Sequence, residues 1–364
     1  MSWKSNIVKI NSIIEATERV LQEYLKMPPE DTLNDLVREF ESSLISPSQE
    51  LVPYTSALFL RENPKEYPLK HKIYDARTAA AFLINNDVSI GGFDASYFSP
   101  GPHIAVPIVL INVGYWFQNY GQNSGGDGCK SEGFLSIPNR IELQFLVKEV
   151  ERKVIKELAN NLDGALKVVF FDESFNITHT MSWSNDARRR MAKEVQESIN
   201  LCIKNNIIPV AIFFTRANDL TRGISIVMSK SIEMLPRIPD NKFFQHYLRN
   251  IGSRSPLFTV YSKPLSKTKL KLVCFYLKIG ERDVIRVEFP ERYADLADVI
   301  QSIVFSQALL GNGYPLALQR AHEIAVIRKE ERMIIENTIL RILRKPNIEY
   351  ILSKKSASKR WPIA

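Results

Sequence analysis

Apolar and polar positions recur along this chain with two periods, and each change of period marks an element. From Ile7 to Leu44 the residues Ile10, Ile13, Ile14, Val20, Leu21 and Leu25 recur at helical spacing, since side chains three and four apart share one helix face. Pro28 and Pro29 interrupt the run, which resumes after Asp31; the pattern predicts a helical N-terminal arm. Proline- and serine-rich stretches at 46–53 and 64–68 follow. They divide the chain into an arm and linker over 1–84, a main domain over 85–345 and a basic tail over 346–364.

Within the main domain, Val88 to Tyr97 and Ile104 to Trp116 are apolar runs joined by Ser99-Pro100-Gly101-Pro102, the signature of a β-hairpin. The stretch from Tyr120 to Gly133 carries five glycines and reads as a flexible loop. Ser136 as N-cap and Pro138 as an early helical proline then start a helix running to about Asn160, with Leu143, Val147, Val150, Val154 and Leu158 as its buried stripe. A strand at Lys167 to Phe171, a helix from about Asp186 and a strand at Ile207 to Phe214 follow. Such alternation implies parallel pairing inside a mixed sheet. Beyond Phe258 come strands at Leu270 to Leu277 and Val284 to Phe289, then helical pattern from Tyr293 to about Leu343. The expected fold is α/β, a mixed sheet flanked by helices, with the helical arm in front.

Composition narrows the class. With 45% hydrophobic and 24% charged residues in 364, the chain can bury a core, which excludes disordered and fibrous proteins. The formal charge of +8 favours a polyanionic partner. Cys129, Cys202 and Cys274 are far apart and form no CxxC pair, so neither a disulfide framework nor a zinc knuckle is indicated and a reducing compartment fits. The N-terminus is amphipathic rather than signal-like, and apolar runs such as Ile104 to Val113 are about half the length of a membrane span. The expectation is a cytoplasmic protein with no membrane segment.

Two aspartates stand at strand ends in matching frames, Gly92-Phe93-Asp94-Ala95-Ser96 and Phe170-Phe171-Asp172-Glu173-Ser174. A carboxylate there is held on a rigid backbone, as hard-cation coordination requires, although Asp and Ser also favour turns for local reasons. The intervening helix offers Glu142, Glu149, Glu151 and Glu157 as a third acid. At about 100° per residue, Glu142 and Glu149 lie on one edge of the stripe, Glu151 on the other and Glu157 closest to the sheet. Matching the helix to the length of the returning strand favours Glu149, about 17 Å from the helix end, over Glu142 at about 27 Å.

The C-terminal half holds Val284-Ile285-Arg286-Val287-Glu288-Phe289-Pro290, then Gly313-Tyr314-Pro315-Leu316-Ala317-Leu318-Gln319-Arg320-Ala321-His322-Glu323. With the two Asp-x-Ser segments, this order resembles the NurA nucleases of archaea and bacteria from Val88 to about Ile327. The resemblance implies an RNase H-like fold and metal ligands at Asp94, Asp172 and a helical glutamate, with His322 either ligating or relaying a proton and Tyr314 orienting the scissile phosphate. Arg140-Ile141-Glu142 is similar to the family's helix entry, so Glu142 and Glu149 both stay candidates. The chain departs from the family at Ala95 and Glu173, where glycine is usual, and at Phe214-Thr215-Arg216, where Arg216 would replace a lysine as phosphate contact.

What the resemblance implies is phosphodiester hydrolysis with Mn²⁺, or Mg²⁺, as two ions on the carboxylates. It further implies 5′ to 3′ exonuclease and single-strand endonuclease activity in DNA end resection, in a homodimer seated on the hexameric ATPase HerA. No Gly-x-x-x-x-Gly-Lys-Ser/Thr loop occurs in the chain, so a motor must come from such a partner. Two other readings compete: a catalytically weakened DNA-binding or clamp subunit, which the Ala95 and Glu173 departures favour, and a scaffold without salt-sensitive DNA affinity.

Overall fold

The computed structural model describes residue 10 and residues 13–18, 30–42, 56–101, 106–135, 138–214, 217–221 and 238–343. Arg216 and the basic tail from 346 lie outside the described residues. In the expected arm, residues 13–18 are helical, and helix α1 (Glu30–Ser42) begins just past Pro28-Pro29. Next come β1 (Ser56–Leu60) and α2 (Ala76–Asn85), the latter started by an Asp75–Thr78 capping box. Strands β2 (Val88–Phe98) and β3 (Ile108–Asn119) form the expected antiparallel hairpin. Strand β4 (Ser124–Leu135) occupies the stretch expected to be a glycine-rich loop. Two of its glycines pair with aromatic residues, Gly126 with Phe117 and Gly128 with Tyr115, and the two rings cover the space a Cβ would need. Neighbouring side chains, which the glycines lack, stabilise this edge strand.

Helix α3 (Arg140–Asn161) starts later than expected. Asn139, not Ser136, is its N-cap, and Glu142 closes the capping box. Strand β5 (Leu166–Phe171), helix α4 (Asn185–Lys204) and strand β6 (Ile207–Phe213) follow. Helix α5 (Asp240–Tyr247) precedes β7 (Phe258–Ser262), β8 (Leu272–Lys278) and β9 (Val284–Pro290). The last helical region is three helices, not one: α6 (Ala297–Leu310), α7 (Leu316–Ala325) and α8 (Lys329–Leu343). Pro315 and the positive φ of Asn312 and Gly313 break the first junction.

One sheet of nine strands results, in the order β1-β7-β8-β9-β6-β5-β2-β3-β4. The β2–β5 and β5–β6 pairs are parallel and the other pairs antiparallel. Residues of one face, among them Phe93, Val169 and Phe171, pack on Val150, Val154 and Ile155 of α3 and Met191 and Ile199 of α4. The opposite face presents Ile90, Val168 and Phe170 to Ile300, Ile303 and Val304 of α6 and to Ala317 and Leu318 of α7. Alternation along each strand thus feeds two cores, one per face. Leu36 and Phe40 of α1 belong to the first core, and Ala79 and Leu83 of α2 to the second. Residues 30–42 and 56–85 are therefore built into the same sheet and cores as the main domain.

Candidate active site

The parallel register pairs Phe93 of β2 with Phe171 of β5, so Asp94 and Asp172 follow side by side. One residue beyond a face-one phenylalanine, each aspartate turns toward the α7 side. Two glycines let α7 come that close. A Cβ on Gly92 would stand 2.9 Å from the Ala317 carbonyl, and one on Gly114, directly opposite Asp94, 2.5 Å from the Ala325 nitrogen. The helix also hydrogen-bonds the hairpin: the Ala325 carbonyl accepts from Ser96 Oγ and, at 2.9 Å, from Asn112 Nδ2.

This close packing brings His322 Nδ1 to 2.6 Å from Asp94 Oδ2. A carboxylate only accepts, so the pair favours the tautomer with the proton on Nδ1 and leaves Nε2 as the free acceptor. At the other end of α7, the turn through Asn312 and Gly313 sends Tyr314 OH to donate to Asp172 Oδ1. Phe214 stacks on Tyr314 with ring centroids 5.8 Å apart. Burial pushes the Asp172 carboxyl above the usual range, and the charge of Asp94 adds to it, while Tyr314 and His322 act the other way. Burial and the neighbouring Asp172 push the Tyr314 hydroxyl well up, so it stays a donor.

The Arg-Val-Glu strand has a supporting role. Buried Glu288 accepts from Ser174 Oγ at 2.8 Å and from Phe175 N at 3.0 Å, which fixes the turn after Asp172. Arg286 pairs with Glu288 at 2.7 Å and with Asp219 at 3.0 Å, so the buried carboxylate is compensated.

At the sheet rim beside α3, an open cavity of about 460 Å³ is lined by Asp94, Asp172, Lys148, Glu151, Glu173 and His179, among others. The helical acid at this cavity is Glu151, not Glu142 or Glu149. Glu142 is spent on the helix cap. Glu149 faces Lys153 at 3.5 Å and is about half exposed, and Glu157 pairs with Lys130 of β4 at 2.6 Å. Glu151 is two residues from Glu149, the position favoured by helix length, and about 200° around the axis from it, which turns it to the cavity instead of Glu149. The buried face is also wider than the expected stripe, taking in Phe145, Lys148, Glu151 and Ile155, because α3 packs on α4 as well as on the sheet.

Lys148 and Glu173 were not singled out as a pair by the sequence. Lys148 Nζ lies 2.8 Å from Glu151 Oε2 and also contacts Glu173 Oε1. The three-residue spacing of Lys148 and Glu151 was visible, whereas the link to Glu173 crosses 25 residues. His179, 3.3 Å from Gln144 Oε1, was missed as well. Burial, with Lys148 and Arg140 nearby, holds its pKa below the ordinary value, which keeps it neutral. Among the described residues, no three His, Cys, Asp or Glu side chains are arranged to hold a metal ion by themselves.

A model of the NurA domain matches residues 88–327, a span that begins with β2 and ends just past α7. The chain belongs to the NurA family. Among solved structures, the NurA nuclease from Sulfolobus solfataricus is 12% identical, with a TM-score of 0.53 over 91% of this chain and 99% of that one. A NurA structure with manganese is 10% identical, with a TM-score of 0.42 over 92% and 99%. Endonuclease V of Ciona intestinalis in complex with DNA is 14% identical, with a TM-score of 0.38 over 68% and 86%. No curated protein matches the chain. Of these structures, the Sulfolobus protein alone is similar enough to bear on the fold, and it agrees with the mixed sheet described above. Within the NurA pattern, Ala95 is half-buried against the α3-side core and its amide donates to Asp94 Oδ1 at 2.7 Å. Among the described residues no helix is long and apolar enough to cross a membrane.

Proposed function

We propose that this NurA-family protein is a divalent-metal-dependent DNA nuclease with Asp94 and Asp172 as its metal-holding carboxylates. The observation that carries this reading is the apposition of Asp94 and Asp172, each hydrogen-bonded to a residue of the Tyr314 to His322 segment. The strand order β4-β3-β2-β5-β6, with β3 antiparallel to its neighbours, supports an RNase H-like nuclease sheet.

The donor set fits a hard cation. Burial raises the Asp172 carboxyl and the charge of Asp94 at the same rim adds to it, and Mg²⁺-like ions are commonly held by one or two carboxylates plus water and substrate phosphate. Mn²⁺ suits the same oxygen ligands. When bound, the ion supplies Lewis-acid polarisation of the scissile phosphate and a lowered pKa for the attacking water. His322 Nε2 would accept a proton from the attacking water, and Asp94 holds the imidazole in the tautomer that can do so. Tyr314 fixes the Asp172 carboxylate, and the stacked Phe214 holds the Tyr314 ring. The formal +8 charge of the chain favours association with a polyanion.

The reading extends to exonuclease and single-strand endonuclease activity in DNA end repair. It places a homodimer beside a HerA-type hexameric ATPase, since the sequence has no nucleotide-binding loop of its own. Size-exclusion chromatography of the mixed proteins, with digestion of a long blunt duplex with and without ATP, tests the coupling. Separate elution and unchanged rates would remove it.

The chemistry itself is tested with end-labelled single-stranded DNA and Mn²⁺. Wild type should cleave only with metal, and Asp94→Ala and Asp172→Asn should lose at least about 10³-fold, as removal of groups acting as a unit does. Full activity in either variant would sink the assignment. One observation favours the second reading, a weakened DNA-binding subunit: Lys148 neutralises the helical carboxylate Glu151. Salt-sensitive DNA affinity without cleavage would select it.

A further inference from the structure

Four carboxylates border the cavity, and alternation splits them between the two sheet faces. Asp94 and Asp172 turn to Tyr314 and His322, whereas Glu173, one residue beyond Asp172, turns to Lys148 and Glu151. The charges that act on Asp172 are those of Asp94 and His322; Lys148 acts instead on His179. One acidic pair is thus left for an ion, and the other already has a cation.

We propose that Lys148 is a built-in cation standing where a second divalent ion would otherwise sit between Glu151 and Glu173, so that this site holds one ion, on Asp94 and Asp172. The inference rests on the metal-site reading given above. Its physical basis is burial and tethering. The Lys148 side chain is 9% exposed and that of Glu151 8%. A desolvated ammonium is tolerated only when well compensated, and two carboxylates do this better than one. Glu173 supplies the second, at a position where the NurA pattern has glycine, which has no side chain to supply. A metal entering between Glu151 and Glu173 must displace an ammonium that is covalently attached to the same helix and already in contact with both acids. Expelling it would also strand its charge on a buried stretch of α3.

The test is Mn²⁺ binding, read as loss of the free aqueous Mn²⁺ signal in electron paramagnetic resonance, with circular dichroism to check folding. Wild type should bind one ion per chain, and Asp94→Ala none. Lys148→Met should bind two, since Glu151 and Glu173 then face each other uncompensated, and the double variant Lys148→Met with Glu173→Gln should return to one. Lys148→Gln, closer in length and polarity, replaces the methionine variant if that does not fold. A wild type with two ions, or a folded Lys148 variant that still binds one, overturns the inference while leaving an Asp94-dependent metal site in place. A wild type that binds none overturns both the inference and the metal-site reading.

Discussion

Gly114→Ala tests the central claim of the site, that close approach of α7 to the hairpin is what delivers His322 to Asp94. The added Cβ would lie 2.5 Å from Ala325 N, 2.6 Å from the Ala321 carbonyl and 2.9 Å from the Ile324 carbonyl carbon. All three are backbone atoms, so no side chain can rotate away. Ordinary contact at about 3.5 Å or more requires the helix to retreat by roughly 1 Å. The His322–Asp94 pair at 2.6 Å would then open to about 3.6 Å, beyond a hydrogen bond. Overpacking of this kind costs about 1–3 kcal/mol, a fall in Tm of a few degrees for a chain this long. A misplacement of about 1 Å at a reacting group costs on the order of 10²-fold in rate. Gly133→Ala is the control, because its Cβ would meet only side-chain tips, Leu110 at 3.1 Å and Ile108 at 4.0 Å. Differential scanning fluorimetry and Mn²⁺-dependent cleavage of single-stranded DNA read both effects. If Gly114→Ala melts and cleaves like wild type, close packing of α7 is not what builds the site.

Asp172→Asn should raise apo Tm at neutral pH: a carboxyl whose folded pKa is raised contributes stability at low pH that is lost as pH rises through that pKa, and the amide removes the loss. The advantage should shrink as pH falls, so a constant Tm gap from pH 4 to 8 would contradict it. Fully buried Asp240, pushed to about 6 by burial and by Asp219, should make wild type lose stability as pH rises from about 4 through 6, and Asp240→Asn should flatten that slope in pH-dependent denaturant unfolding. Glu149→Gln should leave cleavage within about twofold, because a half-exposed helix ion pair contributes little. Glu151→Gln should lower cleavage at least tenfold by freeing Lys148, and equal rates for the two would return the helical acid to question.

Much of this molecule follows from local pattern. Apolar runs located β2 and β5 and helical spacing located α3 and α4, because such signals depend on neighbours a few residues away. Asp172 stands just past β5 as expected, whereas Asp94 lies inside β2, whose ladder with β3 continues to Phe98. The Tyr314 to His322 segment stood out through its resemblance to the NurA pattern and not through its periodicity, which Pro315 interrupts. Local pattern failed where partners are distant in sequence. Strand β4 has few residues of strand preference and forms because Tyr115 and Phe117 cover its glycines, a fact of register with β3. Which glutamate of α3 meets the cavity depended on how the helix rolls against both the sheet and α4, a difference of two residues that reverses its direction. The Lys148–Glu173 contact and the seating of α7 on Gly92 and Gly114 join segments that only the closed sheet brings together. The residues that could do chemistry were therefore set by the sequence, and their pairing, protonation and compensation by tertiary packing, since Coulomb and desolvation energies depend on distance in space and not along the chain.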